Sequence, residues 1–448
     1  MKFRYRNEDE MKDSRVEWLG KIPQNWNIKK IKHLFILKNS KSFDENPVVL
    51  SLTQKGLKIR DISKNEGQLA SSYIGYIKVN KNDLILNPMD LISGYADKSD
   101  IEGVISPAYI IFTERENSKL CNNYYKYYFQ MHYHNNFLFP WGEGVSFQHR
   151  WTLKNETFLN LPIIYSNNIF EQKKIGDFLD KKTAEFDSII SKKEALIEKL
   201  EEAKKSLISE VVTGKVKVVK TSDGYELVQR KKEEMKNSGF EWLGEIPKEW
   251  KTTKLKLKTI QVNRGKSPEY VEESKIKVIN QACIYWDCFN LKNVKYQNEI
   301  NLGERGKLYK NDILINSTGT GTLGRANIFK EDGNFIADSH VTIIRCKDKS
   351  FADYLKYVFR TDLYQGLIYS TIVTGSTNQI ELSREGLRNM IVLDISNEEL
   401  NLINNILEDK INKINLVIDK TKSEIEKLKE AKQSLISEAV TGKIEILE

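Results

Sequence analysis

Two stretches of the chain carry a single hydrophobic stripe for longer than a compact domain needs. From Glu171 to Glu210 there is no proline, and only Gly176 weakens a helix. Apolar or long-stemmed residues fall at Ile175, Leu179, Lys182, Phe186, Ile189, Lys193, Leu196, Leu200, Ala203 and Leu207. Steps of three and four put these positions on one helical face, which predicts a coiled-coil seam. A second stripe runs through Ile403, Leu407, Lys410, Ile414, Val417, Leu428, Ala431 and Leu435, with Thr421 and Glu424 roughening its middle. Both runs reach a Thr-Gly step, at Gly214 and Gly442, where glycine can take the left-handed conformation that ends a helix. At 1.5 Å per residue, about 40 residues make a helix about 60 Å long.

Elsewhere the pattern changes period. Residues 27–165 and 251–395 alternate short β-branched runs with turn residues, as in Asn82-Asp-Leu-Ile-Leu-Asn87 and Asp338-Ser-His-Val-Thr-Ile-Ile344. Each stretch also has one clear helix, near Asn122–His132 and Phe351–Leu363. The reading is α+β: two similar globular domains separated by two long helices. If the helices pair as an antiparallel coiled coil, the domains are related by a pseudo-twofold axis and the helices act as a spacer.

The order domain, helix, domain, helix is a duplication. Glu17-Trp-Leu-Gly-Lys-Ile-Pro-Gln-Asn-Trp26 returns 224 positions later as Glu241-Trp-Leu-Gly-Glu-Ile-Pro-Lys-Glu-Trp250. Ala203-Lys-Lys-Ser-Leu-Ile-Ser-Glu-Val-Val-Thr-Gly-Lys215 returns 228 positions later as Ala431-Lys-Gln-Ser-Leu-Ile-Ser-Glu-Ala-Val-Thr-Gly-Lys443. Between these ends, Lys81-Asn-Asp-Leu-Ile-Leu-Asn87 faces Lys310-Asn-Asp-Ile-Leu-Ile-Asn316, and Gly144-Val-Ser-Phe-Gln148 faces Gly375-Ser-Thr-Asn-Gln379. The material between the anchors diverges: Pro88-Met-Asp-Leu-Ile-Ser-Gly94 stands against Ser317-Thr-Gly-Thr-Gly-Thr-Leu323. Loops on a rigid scaffold usually carry recognition, so two readers of two targets would produce this contrast. Neutral drift after duplication would produce it too.

Composition narrows the classes. With 448 residues, 40% hydrophobic and 29% charged, the chain is a multidomain globular protein and not a disordered one. No apolar run approaches the roughly 20 residues that span a bilayer, and Met1–Arg15 has no apolar export signal, so a cytoplasmic location is expected. Cys121, Cys283, Cys288 and Cys346 are too few and too scattered for a disulfide framework and fit a reducing compartment. The net charge of +8 permits a polyanionic partner. Glu171–Glu210 and Glu399–Glu438 each carry a net −1, so the remaining segments carry +10, and any DNA binds there.

Within the two domains the informative loops are rich in Arg, Lys, Asn, Gln, Ser and Thr, the side chains that pair with base edges in the major groove. The candidates are Gln54, Lys55, Arg60, Ser93, Tyr95, Gln148, His149 and Arg150 in the first, and Arg264, Lys266, Ser317, Thr320, Thr322, Arg325, Thr377 and Asn378 in the second. Solvated polar loops would look the same. Catalytic signals are weak. Gly319-Thr-Gly-Thr-Leu-Gly324 has dinucleotide-fingerprint spacing but no evident helix behind it. Arg264-Gly-Lys-Ser267 resembles the end of a phosphate loop, but Ile260 stands where its first glycine belongs. A zinc site from Cys283, Cys288, His340 and Cys346 competes with plain core packing. Neither His149 nor His340 has a visible nucleophile or carboxylate partner in both copies, so no catalytic or metal residue is assigned.

On these motifs the chain resembles the specificity subunit of type I restriction-modification enzymes over essentially its whole length. The paired Glu-Trp-Leu-Gly-x-Ile-Pro-x-x-Trp segments carry the likeness, with Glu171-Gln-Lys-Lys-Ile175, Asn87-Pro-Met-Asp-Leu91 and Gly103-Val-Ile-Ser-Pro-Ala-Tyr109. Asn397-Glu-Glu-Leu400 departs from it, lacking the Pro-Glu-Gln style opening of the second helix. The resemblance implies a first target recognition domain over 1–165, a helix over 166–215, a linker and second recognition domain over 216–395, and a helix over 396–448. It implies that each domain reads half of a bipartite site in double-stranded DNA. It implies modification (methyltransferase) subunits that bring S-adenosylmethionine, helicase-nuclease restriction subunits that use ATP and Mg, and no cofactor or catalysis in this chain. A stand-alone scaffold or DNA-binding regulator is the competing reading, which neighbouring methyltransferase and helicase-nuclease genes would disfavour.

Overall fold

The structure, a computed structural model, describes residues 2–63, 70–116, 118–144, 151–222, 224–299, 304–319, 321–375 and 380–447. The chain divides into two compact units, one made of Met1–Glu194 with Lys422–Glu448 and the other of Ala195–Thr421. The two long helices, Ile169–Val212 and Asn397–Val440, are 44 residues each, and the division between units falls inside both.

In the first unit a four-stranded antiparallel sheet has the order Ala96–Lys98, Leu84–Leu86, Ile110–Glu114, Phe35–Leu37. The helix Asn122–His134 packs its aromatic face, with Tyr124, Tyr125, Tyr128 and Phe129, into a core shared with Trp26, Phe35, Phe112 and Phe178. The second unit repeats the plan. Its sheet has the order Thr259–Arg264, Val341–Cys346, Ile313–Asn316, Ala326–Ile328, and its helix Lys349–Arg360 buries Tyr354, Leu355, Val358 and Phe359. The Lys-Asn-Asp anchors are the turn that starts one of these strands. Asn82 and Asn311 sit at φ +70° and +71°, where asparagine is better tolerated than most side chains. The next residue, Asp83 or Asp312, accepts the backbone N–H of Asn80 or Tyr309 at 2.7 and 2.8 Å. Each aspartate also meets a cation from a neighbouring strand or its end, Lys38 or Arg345.

The repeated tryptophan motif fastens helix ends. In the first unit, buried Trp26 donates its indole N–H to Glu171 at 2.8 Å, and in the second Trp250 does the same to Glu399 at 2.8 Å. Each glutamate lies in the first turn of a long helix and also binds an arginine, half-buried Arg6 or buried Arg230. The same tryptophan receives the end of the other long helix: a Cβ on Gly442 would lie 2.5 Å from Pro23 and 3.0 Å from Trp26, and one on Gly214 2.4 Å from Pro247 and 2.8 Å from Trp250. Glu399 therefore occupies the role of Glu171, and the second helix starts at Asn397 without the expected opening. The repeat also reaches further back than Glu17. Strand Phe3–Tyr5 pairs with Ile444–Ile446 as Gly224–Gln229 pairs with Val216–Thr221, and Arg6 corresponds to Arg230.

Within each unit the helix segments run antiparallel. In the first, Asp187 meets Lys432 at 2.7 Å and Lys193 meets Glu424 at 2.6 Å; in the second, Lys204 meets Asn415 at 3.1 Å. The seam itself differs from the expected one. Ile189, Leu196 and Ala203 are exposed, and the covered positions are Phe186, Ile190, Lys193, Ile197, Leu200, Lys204 and Leu207. The second helix shifts likewise: Lys410, Val417 and Ala431 face solvent, while Ile411, Ile418, Ile425 and Lys432 are covered to differing degrees. Residues three and four after one anchor both border it, so sequence spacing fits either, and the partner helix decides. Thr421, read as an interruption, is a buried seam residue whose hydroxyl donates to Val417 O at 2.7 Å.

Candidate nucleic-acid interface

Antiparallel register puts the divergent loops at one end of each sheet. In the first unit Leu86 faces both Ala96 and Ile110, so the loops 87–95 and 106–109 leave from the same end. In the second, Asn316 faces Val341, Ile315 faces Ala326 and Arg264 faces Thr342. The segments 265–270, 317–319, 321–325 and 338–340 share that end. Strands brought together by fold order thus gather residues that lie far apart in sequence.

In the first unit the hairpin Leu50–Thr53/Gly56–Ile59 carries Gln54 and exposed Lys55 at its tip. The Gln54 amide donates to Ser93 O at 3.1 Å, and the Leu57 N–H donates to Asp97 at 2.8 Å, which ties the hairpin to the loop 87–95. Ser93 is held to Asp90 through both its backbone N–H and its hydroxyl. Tyr95 is half-buried beside Leu57, and burial pushes its phenol up. Gln54, Ser93 and Tyr95 therefore come together. Arg60 lies at the opposite end of the hairpin, half-buried, with its N–H on Val49 O. Gln148, His149 and Arg150 lie outside the described residues; Glu143 and Thr152, either side of them, pair with each other.

In the second unit the candidates divide. Arg264 spends its guanidinium on Glu381 at 2.9 Å and Leu382 O at 3.3 Å. Arg325 lies over the Tyr285 ring, 5.1 Å from its centroid, and donates to Ile284 O and Gly321 O. Lys266 is half-buried, with its N–H on Ala337 O. Thr322 turns its hydroxyl back onto the loop, to Gly319 O. Ser317 is fully buried, its hydroxyl 2.5 Å from that of Thr342, so it braces the sheet and is not on the surface. Thr320, Thr377 and Asn378 lie outside the described residues. Gly319, Gly321 and Gly324 take φ of +100°, +79° and +78° in a turn that feeds the strand Ala326–Ile328 and not a helix, so the fingerprint spacing has no fingerprint structure.

Sequence reasoning did not assemble one cluster here. Thr318 Oγ lies 2.8 Å from His340 Nδ1 and 3.3 Å from Gln281 Oε1, at the edge of a cleft of about 660 Å³ lined also by Tyr270, Lys292, Lys295 and Asp338. The run Asp338–Ile344 reads as one strand, but the strand begins at Val341. Asp338 turns the chain by accepting the His340 N–H at 2.8 Å, and its burial pushes the carboxyl up. Among the described residues no group of three or more His, Cys, Asp or Glu side chains is arranged to hold a metal ion. Cys283 packs in the core.

No protein-family model matches the sequence, and no curated protein matches it. Solved structures do. A chain described in work on the complex assembly and conformational transition of the type I R-M system superposes with a TM-score of 0.63 at 11% identity, over 94% of this chain and 99% of that one. The two chains share a fold. The type I S subunit from M. genitalium aligns at TM-score 0.38 and 14% identity over 93% of this chain and 96% of its own. The HsdS subunit from Thermoanaerobacter tengcongensis aligns at 0.47 and 11% over 94% and 98%. The type I fold includes both units and both long helices, and among the described residues no helix is long and apolar enough to cross a membrane.

Proposed function

We propose that the chain is the specificity subunit of a type I restriction-modification enzyme, selecting DNA without chemistry of its own. One observation carries this reading: both units repeat the same sheet, turn and helix-end lock, while the loops at one sheet end differ in residue type. A scaffold repeated with unlike loops suits two half-sites of unlike sequence in double-stranded DNA. The fold shared with a type I chain supports it. The paired helices would set the spacing of the half-sites and dock the modification subunits. Those subunits would bring S-adenosylmethionine, and helicase-nuclease restriction subunits would bring ATP and Mg, all in the cytoplasm.

The test is an exchange of residues 27–165 for the matching domain of a related subunit, read by methylation mapping in cells carrying the modification subunits. One half of the methylated sequence changes and the other stays. Simultaneous change of both halves, or of neither, rejects the reading.

A further inference from the structure

Two loops of the first unit hold one glutamine amide in a fixed orientation. Gln54 stands exposed at the tip of the hairpin Leu50–Thr53/Gly56–Ile59 and donates from Nε2 to Ser93 O at 3.1 Å. A backbone carbonyl only accepts, so this contact also fixes which end of the amide is nitrogen. The amide carries two N–H groups and an oxygen with two lone pairs. One N–H is used on Ser93, and among the described residues nothing engages the other or Oε1. One donor beside one acceptor remains on an exposed side chain. Both loops that hold it are themselves tied down. The Thr53 hydroxyl accepts the Lys55 N–H at 3.2 Å and donates to Gly56 O at 3.0 Å. Across from it, Asp90 accepts the backbone N–H of Ile92 at 3.1 Å and that of Ser93 at 2.8 Å. Ile92, next to Ser93, is 61% exposed, and exposed Lys55 follows Gln54.

We propose that Gln54 reads the adenine of an A·T pair in the half-site assigned to the first unit, with Ile92 against the methyl group of the paired thymine. In the major groove adenine offers N7 as an acceptor and its N6 amino group as a donor, which one amide meets with its N–H and its oxygen. Guanine offers two acceptors there, O6 and N7. Thymine alone adds a methyl group, which suits an apolar side chain. The bond to Ser93 O holds the amide in place before DNA arrives, so less ordering is needed on binding. Lys55 suits a neighbouring phosphate, which positions the hairpin without reading sequence. This rests on the specificity reading above.

The experiment uses the full chain with its modification subunits. Methylation mapping of Gln54→Ala in cells finds the position: preference for adenine there falls about 10- to 100-fold, while the opposite half-site stays. Binding of the purified complexes to synthetic duplexes then separates contact from fold. With 7-deazaadenine at that position, which lacks the N7 acceptor, or uracil for the paired thymine, which lacks the methyl group, the unaltered complex binds about fivefold or more weakly. Gln54→Ala is indifferent to the first change and Ile92→Ala to the second. Variants as sensitive to the analogues as the unaltered complex overturn the inference. So does a Gln54→Ala chain that keeps its half-site, or that weakens all sequences alike. The specificity reading stands or falls separately, on the exchange of residues 27–165. If that exchange moves one half-site while Gln54→Ala changes nothing, only the assignment of Gln54 is lost.

Discussion

Single residues in this chain act mostly by what they forbid. His132 is buried beneath Trp18, with Nδ1 2.8 Å from Tyr128 O, and burial holds its imidazole down to about 4. An unfolded chain titrates near 6.5. Between those values the unfolded chain binds a proton that the folded unit refuses, so stability falls as the pH drops from about 6.5 to 4, by up to ~3 kcal/mol. Urea midpoints at pH 7 and pH 5 measure this, and His132→Gln flattens the difference. Gly442 and Gly214 exclude side chains for a different reason: φ of +71° and +74°, against a proline and a tryptophan. Alanine at either costs about 2–4 kcal/mol, from left-handed strain plus overpacking, read as a lowered urea midpoint. These glycines were legible, because both end a repeated motif at the foot of a helical stripe. Gln281, Thr318 and His340 were not. They are 59 positions apart at the extremes, have no counterpart spacing in the first copy, and meet only because loops from two different sheets converge.

Among the elements, the long helices were the most legible part and their contact faces the least. Periodicity fixes that a stripe exists; it does not choose between Ile189 and Ile190, which both follow Phe186 at seam spacing. The partner helix covers Ile190, at 9% exposure, and leaves Ile189 at 44%. Ile190→Ala therefore costs about 2–4 kcal/mol and Ile189→Ala well under about 1, compared as urea midpoints of otherwise identical chains. Equal losses would restore the original stripe. The sheets were legible as α+β alternation, and the Lys-Asn-Asp turns as repeated anchors. The repeat's extension to Arg6 was hidden because the first copy of that strand pair is split between the two chain ends.

At the scale of the whole molecule, polar pairs hold the antiparallel helix segments in register within each unit, Asp187–Lys432 and Lys193–Glu424 in the first and Lys204–Asn415 in the second. If helix length is the ruler proposed above, seven residues added to each helix keep the seam and lengthen each by about 10 Å. Methylation mapping should then find the same two half-sites about three base pairs further apart. An unchanged spacer at full activity would leave the helices as mere fasteners. The pairing of Phe3–Tyr5 with Ile444–Ile446 has a consequence in time. The second unit is one continuous stretch, Ala195–Thr421, whereas the first needs Lys422–Glu448 for its last strand and the helix end that lies on Trp26. On the ribosome the part made first is therefore finished last. At about 5–20 residues per second, its aromatic core waits roughly ten seconds or more for its closing strand, and for that interval the core around Tyr124, Phe129 and Phe178 lacks the cover of that strand and helix end.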